Sequence, residues 1–417
     1  MNIRFRLISM SFLQFFVWGA WLITVGVYWF QNKQWSGSEF GAIFSTMGIA
    51  SLFMPALIGI VADRWVNAEK LYGILHILGG LTLIAVPQVT NPGDFFWVIL
   101  LAMVFYMPTI ALSNSISYNA LKNNGMDVIK SFPPIRVWGT VGFIVAMWIT
   151  NITGNKDSAN QFYIAGITAI MLGFYAFTLP KCPPAAVTGT KRSLAEAFGL
   201  DAFKLFKNYK MALFFIFSMF LGAALQLTNA YGDVFIDDFK HLAEYKDSLV
   251  VKYSTLVMSI SQFSETLFIL AIPFFLKRYG IKNVMLFSMI AWVLRFGLFA
   301  YGDPGPGLWM IVLSCIVYGM AFDFFNISGS LFVETSTDAN IRSSAQGLFM
   351  MMTNGVGAVL GSRVSGVVIE KYFTHAEGKD WHGIWLTFAF YSLIVAVAFA
   401  LLFKHKHNPE AVKNLVH

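Results

Sequence analysis

Four apolar stretches of this sequence carry polar side chains at helical spacing, the arrangement needed to handle a solute or a proton inside a membrane. An ionisable group deep in such a stretch costs about 3 kcal/mol or more unless it faces a cavity or a partner. In Phe132-Pro133-Pro134-Ile135-Arg136, continued by Val137-Trp138-Gly139-Thr140-Val141-Gly142-Phe143, the residues Arg136, Thr140 and Phe143 stand at i, i+4 and i+7. One helix face then offers a guanidinium, a hydroxyl and a ring. The competing reading is that Arg136, a turn beyond two prolines, snorkels to the membrane surface. Gln226 and Asn229 sit one turn apart in Leu225-Gln226-Leu227-Thr228-Asn229. Each amide both donates and accepts, which suits a base edge or sugar hydroxyls; such amides also bond neighbouring helices to one another.

Glu265 is the strongest single signal, set among apolar residues with Gln262 on its face. A carboxyl in low dielectric holds its proton more readily, so it can cycle between neutral and charged forms near physiological pH. That serves a proton relay or a hydrogen bond to substrate; the structural alternative is a pairing with a buried arginine such as Arg295. Tyr318 and Phe322, at i and i+4, offer a stacking surface, and Asp323 points about 100° away from Phe322, toward either a coupling role or a structural pairing. Rings alone mean little among 42 phenylalanines; their placement beside amides and carboxyls carries the argument. Glu334, Arg342 and Glu370 fall near predicted helix ends and read as surface charges, while Arg363 lies inside a predicted span with no assigned role. Gly357 and Gly361 have the small-xxx-small spacing of close helix packing. No His, Cys or carboxylate cluster has the spacing of a metal or nucleophile site, so neither an enzyme nor a cofactor is expected.

The elements that must position these residues are membrane helices. Hydrophobic residues make up 57% of the 417 positions and charged residues 12%, against about a quarter charged in soluble domains. Apolar runs of spanning length fall near 8–31, 38–61, 72–91, 95–119, 135–154 and 160–180, then near 211–233, 253–276, 283–301, 308–332, 343–370 and 382–403. The pattern predicts an all-α integral membrane fold of twelve transmembrane helices in two six-helix halves. Residues 1–180 form the N-terminal half, 181–210 a cytoplasmic linker, 211–404 the C-terminal half and 405–417 a cytoplasmic tail. The net charge of +7 is scattered over loops rather than striped, which argues against nucleic acid. With both termini in the cytoplasm, about 19 Lys and Arg fall on cytoplasmic segments and about 7 opposite, as the positive-inside rule favours. Met1 to Arg6 run into the first apolar stretch without a cleavage pattern, so a retained first span is expected. Cys182 and Cys315 suggest neither a disulfide framework nor a metal site.

After the second span, Gly59-Ile60-Val61-Ala62-Asp63-Arg64 begins the loop signature G-x-x-x-D-[RK]-x-G-x-[RK]-[RK] of the major facilitator superfamily. After the eighth, Pro273 to Lys282 resembles the same signature. Val66 replaces a glycine in the first copy; Pro273 and Lys277 replace glycine and aspartate in the second. Equivalent copies in two halves support the parallel repeat of that fold, with substrate expected near the midplane between the halves.

From Phe12-Leu13-Gln14 to the tail, the chain resembles bacterial nucleoside permeases of the nucleoside:proton symporter family. The segments carrying this are Phe53-Met54-Pro55-Ala56-Leu57, Phe132-Pro133-Pro134-Ile135-Arg136, Ser261-Gln262-Phe263-Ser264-Glu265-Thr266-Leu267, Tyr301-Gly302-Asp303-Pro304 and Phe322-Asp323-Phe324-Phe325-Asn326-Ile327-Ser328-Gly329-Ser330. The loop at 237–252 departs from the pattern. The resemblance implies proton-driven uptake of nucleosides such as uridine and adenosine across a bacterial inner membrane, by alternating access of a monomer in the lipid bilayer. It carries the family's binding positions onto Arg136, Thr140, Phe143, Gln226, Asn229, Gln262, Glu265, Tyr318 and Phe322. Glu265 and Asp323 are the proton-coupling candidates. A transporter of a sugar or other small hydroxylated solute, and a nucleoside receptor that does not transport, are the competing readings.

Overall fold

A computed structural model describes residues 2–184, 200–338 and 341–406. Residues 185–199 of the predicted linker and 407–417 of the predicted tail lie outside the described residues. Chain contacts separate two compact units, Met1–Ser193 and Leu194–His417. Twelve membrane-crossing segments follow one another among the described residues.

In the first unit, Ile3–Gly19 turns through residues 20–24 into Val25–Val27 and a wide π turn at Tyr28–Asn32, and together these make the first span. Gly37–Arg64, Ala68–Ala85 with its 3-10 extension Val86–Gln88, Pro92–Asn123, Val128–Ile152 and Asn160–Ala176 are the second to sixth. In the second unit a 3-10 stretch, Leu200–Lys207, leads into Tyr209–Asp238, the seventh span. Ser254–Tyr301 contains the eighth and ninth, and Leu308–Ser336 is the tenth. The eleventh runs Arg342–Met350, π segment Met351–Gly357, Ala358–Phe373; the twelfth is Trp381–Leu402. A two-residue antiparallel hairpin, Thr374–His375 with Gly378–Lys379, joins the last two. Eight helices are long and apolar enough to cross a membrane by length and composition, the 48-residue Ser254–Tyr301 among them. The first and eleventh spans fall outside that group because each is interrupted, and the sixth because it has 17 residues.

Lipid tails are as apolar as leucine, so membrane helices associate through tight packing and hydrogen bonds. The same pairings recur in the two units. The first span packs on the fifth and the seventh on the eleventh; the second on the fourth and the eighth on the tenth; the third on the sixth and the ninth on the twelfth. Glycines make the approaches possible. A Cβ at Gly142 would lie 2.1 Å from the Phe12 carbonyl oxygen, and one at Gly222 would lie 1.9 Å from that of Thr353. Gly357 and Gly361 abut Met219 and Ala223, four residues apart on both helices, so their spacing does serve close packing.

Two boundaries differ from the sequence expectation. The fifth span begins at Val128, ahead of Pro133 and Pro134, which lie inside the helix. Proline removes an amide donor to the carbonyl four residues earlier; so near the helix start only the carbonyls of residues 129 and 130 lose that bond, and the helix continues. The eighth and ninth spans were expected with a loop between them. They are joined instead at one residue, Gly280, with φ 78° and ψ 168°. This backbone region is essentially reserved for glycine. The first signature copy has Val66 at the matching place, and there the chain leaves the helix over 65–67 without a positive φ.

Gly280→Val is therefore expected to destabilise the protein by about 1–3 kcal/mol, seen as a lower unfolding midpoint in detergent. Gly297→Ala, whose Cβ would meet nothing within 4 Å, is the control and leaves the midpoint unchanged or higher.

Candidate functional site

The eighth and tenth spans cross at Gly319. A Cβ there would sit 2.6 Å from the Ser264 carbonyl and 2.7 Å from the Glu265 nitrogen, so any larger residue would separate the two backbones. The Ser264 hydroxyl donates to the Ile316 carbonyl across the same crossing. This contact brings half-buried Glu265 beside the tenth span, which carries Tyr318 and Asp323 on different faces. Both carboxyls lie within electrostatic reach of Tyr318, and Glu265 within reach of Asp323. Tyr318 and Phe322 form the surface their spacing predicted: their rings are nearly parallel, 10° apart, with centroids at 6.2 Å. Trp292 and Tyr318 meet edge to face, at 90° with centroids 6.0 Å apart.

Gln226 is 8% exposed, while Asn229 and Gln262 are half-buried. Among the described residues, the buried Gln226 Oε1, Gln262 Oε1 and Asp323 Oδ2 have no hydrogen-bond partner. A buried acceptor left so costs about 1–3 kcal/mol. The second unit therefore holds several unpartnered acceptors, a pair of nearly parallel rings and two carboxyls, groups able to take hydroxyl and N–H donors from a small polar solute with a planar face.

Arg136, Thr140 and Phe143 lie half-buried on one helix of the first unit. The Arg136 guanidinium rests 4.0 Å from the centre of the Phe15 ring. Gly139 makes room for that contact, since its Cβ would fall 2.6 Å from Phe15 and 2.7 Å from Arg136 Nη1. Arg136 thus packs on a ring of the first span. Among the remaining charges, Glu334 and Glu370 are half-buried rather than at the surface, and Arg363 is exposed. The Arg342 side chain lies outside the described residues. No group of three His, Cys, Asp or Glu among the described residues could hold a metal.

Gln14 is not singled out by its sequence setting, and Arg295 enters there only as an alternative partner for Glu265. Gln14, fully buried, accepts from the Tyr72 hydroxyl at 2.6 Å, lies 2.8 Å from His76 Nε2, and donates to Thr109 at 2.9 Å. Its backbone carbonyl accepts from the Tyr106 hydroxyl at 2.8 Å. This network ties the first, third and fourth spans, and His76 meets the same test of a titratable group inside a span that singled out Glu265. Arg295 is wholly buried. Its Nη1 donates to the Ser314 carbonyl at 2.8 Å, and Thr228 and Ser261 hydroxyls lie at 3.4 and 3.5 Å from Nε and Nη1.

Comparison with known proteins places this arrangement among transporters. A family described as Nucleoside H+ symporter matches residues 1–408. The chain is 52% identical over 415 residues to the xanthosine permease of Escherichia coli K12, covering 99% of each chain. It is 53% identical over 408 residues to the nucleoside permease NupG of the same organism, covering 98% of this chain and 97% of the other. The crystal structure of the nucleoside transporter NupG superposes with a TM-score of 0.91 at 52% identity, over 97% of this chain and all of that one.

If Asp323 is kept for a role other than holding the fold, replacing it by the shape-matched apolar Leu removes a buried acceptor without a partner. Asp323→Leu is expected to raise the unfolding midpoint, by about 1–3 kcal/mol in stability. A lowered midpoint in a detergent melt would instead assign the carboxyl a structural pairing.

Proposed function

This chain belongs to the nucleoside H+ symporter family, and from that premise we propose how its residues carry a nucleoside together with a proton. It is a multi-pass membrane transporter with the major facilitator fold and not an enzyme. The ribose hydroxyls bond to Glu265 and to the amides of Gln226, Asn229 and Gln262, while the base stacks on Tyr318 and Phe322. Stacking accepts purines and pyrimidines alike, because every base has a π face. In the first unit, Arg136, Thr140 and Phe143 also contact substrate. Uridine and adenosine are the proposed cargo, and the relative named xanthosine permease adds xanthosine to the panel to be tried.

The observation that carries this reading is the pair of nearly parallel rings on the tenth span, which crosses the Glu265 backbone at Gly319, together with buried acceptors on Gln226, Gln262 and Asp323 of the same unit that have no partner among the described residues. Polar atoms left in this state weigh against the fold, and a bound solute with hydroxyl donors removes that penalty. Proton binding at Glu265 or Asp323 biases the equilibrium between outward-open and inward-open states. Nucleoside must bind those states differently for its movement to be coupled to the proton. Residues 1–180 and 211–404 act as the two moving halves, with 181–210 as a cytoplasmic linker and 405–417 as a cytoplasmic tail. The charge bias supports cytoplasmic termini; a monomer in a bacterial inner membrane completes the reading.

Uptake of labelled uridine, adenosine and xanthosine into proteoliposomes, with and without an inward proton gradient, tests it. Native protein is expected to accumulate nucleoside only with the gradient, unlabelled nucleosides to compete and sugars not to. Glu265→Gln is expected to lose accumulation by about 100-fold or more, the scale of removing a proton-transfer group. Gradient-driven accumulation that survives Glu265→Gln would remove Glu265 as the obligatory proton carrier and leave Asp323.

A further inference from the structure

Arg295 is a cation enclosed by neutral groups. Taking a guanidinium out of water is expensive, and a carboxylate usually compensates it. Here the compensation comes from the Thr228 hydroxyl of the seventh span, the Ser261 hydroxyl of the eighth and the Ser314 carbonyl of the tenth. Two rings line the rest of the shell, with the guanidinium carbon 4.5 Å from the Tyr318 centroid and 5.0 Å from that of Phe299, while Nη2 has no hydrogen-bond partner among the described residues. The Ser314 hydroxyl in turn donates to the Arg295 backbone carbonyl at 2.9 Å. Arg295 and Ser314 are thus locked to each other through both main chain and side chain.

One group in that shell is also at the proposed substrate site. Tyr318 is 5% exposed, and its ring is held by the guanidinium and by an edge-to-face contact with Trp292. Trp292 lies three residues before Arg295 on the same helix, so one helical turn supplies both contacts. A tyrosine on a stacking platform would otherwise rotate among rotamers, and each immobilised side chain lowers affinity when substrate must order it. A cation over the ring face is directional and strengthened by desolvation. Anchored from three other spans, it fixes the ring plane in advance.

We propose that Arg295 is a positioning residue for nucleoside binding: it holds Tyr318 flat and parallel to Phe322, so that the stacking surface exists before substrate arrives. The inference rests on the reading that Tyr318 stacks on the base. It concerns affinity rather than proton movement, and that separates it from the roles given to Glu265 and Asp323.

Uridine and adenosine uptake kinetics of native protein, Arg295→Met, Arg295→Lys, Tyr318→Ala and the Arg295→Met/Tyr318→Ala pair test it, each in proteoliposomes after a check of monodispersity in detergent. Arg295→Met is expected to raise KM about tenfold, the scale of one desolvated cation–π contact, with the maximal rate within about twofold of native. Arg295→Lys recovers part of that loss, because an ammonium keeps the charge over the ring but not the fork of hydrogen bonds. The double variant is no worse than Tyr318→Ala alone, since both changes remove one shared contact. A loss in maximal rate with KM unchanged, or losses that multiply in the double variant, overturns the proposal. Should Arg295→Met not fold, Thr228→Val replaces it: this near-isosteric change removes one anchor and is expected to raise KM about threefold, again without effect in a Tyr318→Ala background. If Tyr318→Ala itself leaves KM unchanged, the stacking reading fails, whatever Arg295 does.

Discussion

Lipid offers no hydrogen bonds, so every polar atom inside a span is answered by protein, by water or by a passing ligand, or it weighs against the fold. This constraint sorts the polar residues of the chain into two kinds. The Gln14 network of the first unit is answered within itself: the amide oxygen serves Tyr72 and His76, the amide nitrogen serves Thr109, and even the backbone carbonyl serves Tyr106. It reads as a rivet between helices. Gln226, Gln262 and Asp323 of the second unit keep buried acceptors that no described residue meets, and these are the residues for which transport supplies a reason. Natural proteins keep such groups where function requires them, at the expense of stability.

Close approach is the second half of the same constraint. Without a hydrophobic difference between lipid and side chain, helices hold together where backbones touch. The glycines at 142, 222, 319, 357 and 361 mark such touches. Two of them were legible as a small-xxx-small pair. The contact at Gly319 was not, because its partner is the Ser264–Glu265 backbone of another helix, and a one-dimensional pattern cannot pair helices. Yet this contact sets Glu265 beside Tyr318 and Asp323, so a residue with no chemistry of its own determines how the chemistry is assembled.

Much of the architecture was legible for a simple reason: hydropathy is a local property, and the spans, the break near 181–210 and the repeated loop signature are all local. The i, i+4 pairing of Tyr318 and Phe322 translated directly into nearly parallel rings. The prolines at 133 and 134 misled because a helix-breaking residue near a helix start removes few bonds, and composition does not say where the start lies. Arg295 was visible as a charge in a span, and pairing it with Glu265 was the natural guess. Its hydroxyl, carbonyl and ring partners come from helices far apart in sequence, and only the folded chain brings them together.

Gly280 gives the second unit a ruler. With a single residue between the eighth and ninth spans, the two helices leave the turn without slack, and Glu265 and Arg295 stand equally far from it, fifteen residues on either side. At a rise of about 1.5 Å per residue each lies about 22 Å along its helix from the same point, so the acid and the cation stand at matching distances from the turn. A loop of several residues would let one helix slide against the other and blur that match. One added residue on either arm would turn its side chain by about 100°, taking the carboxyl away from Asp323 or the guanidinium away from Tyr318.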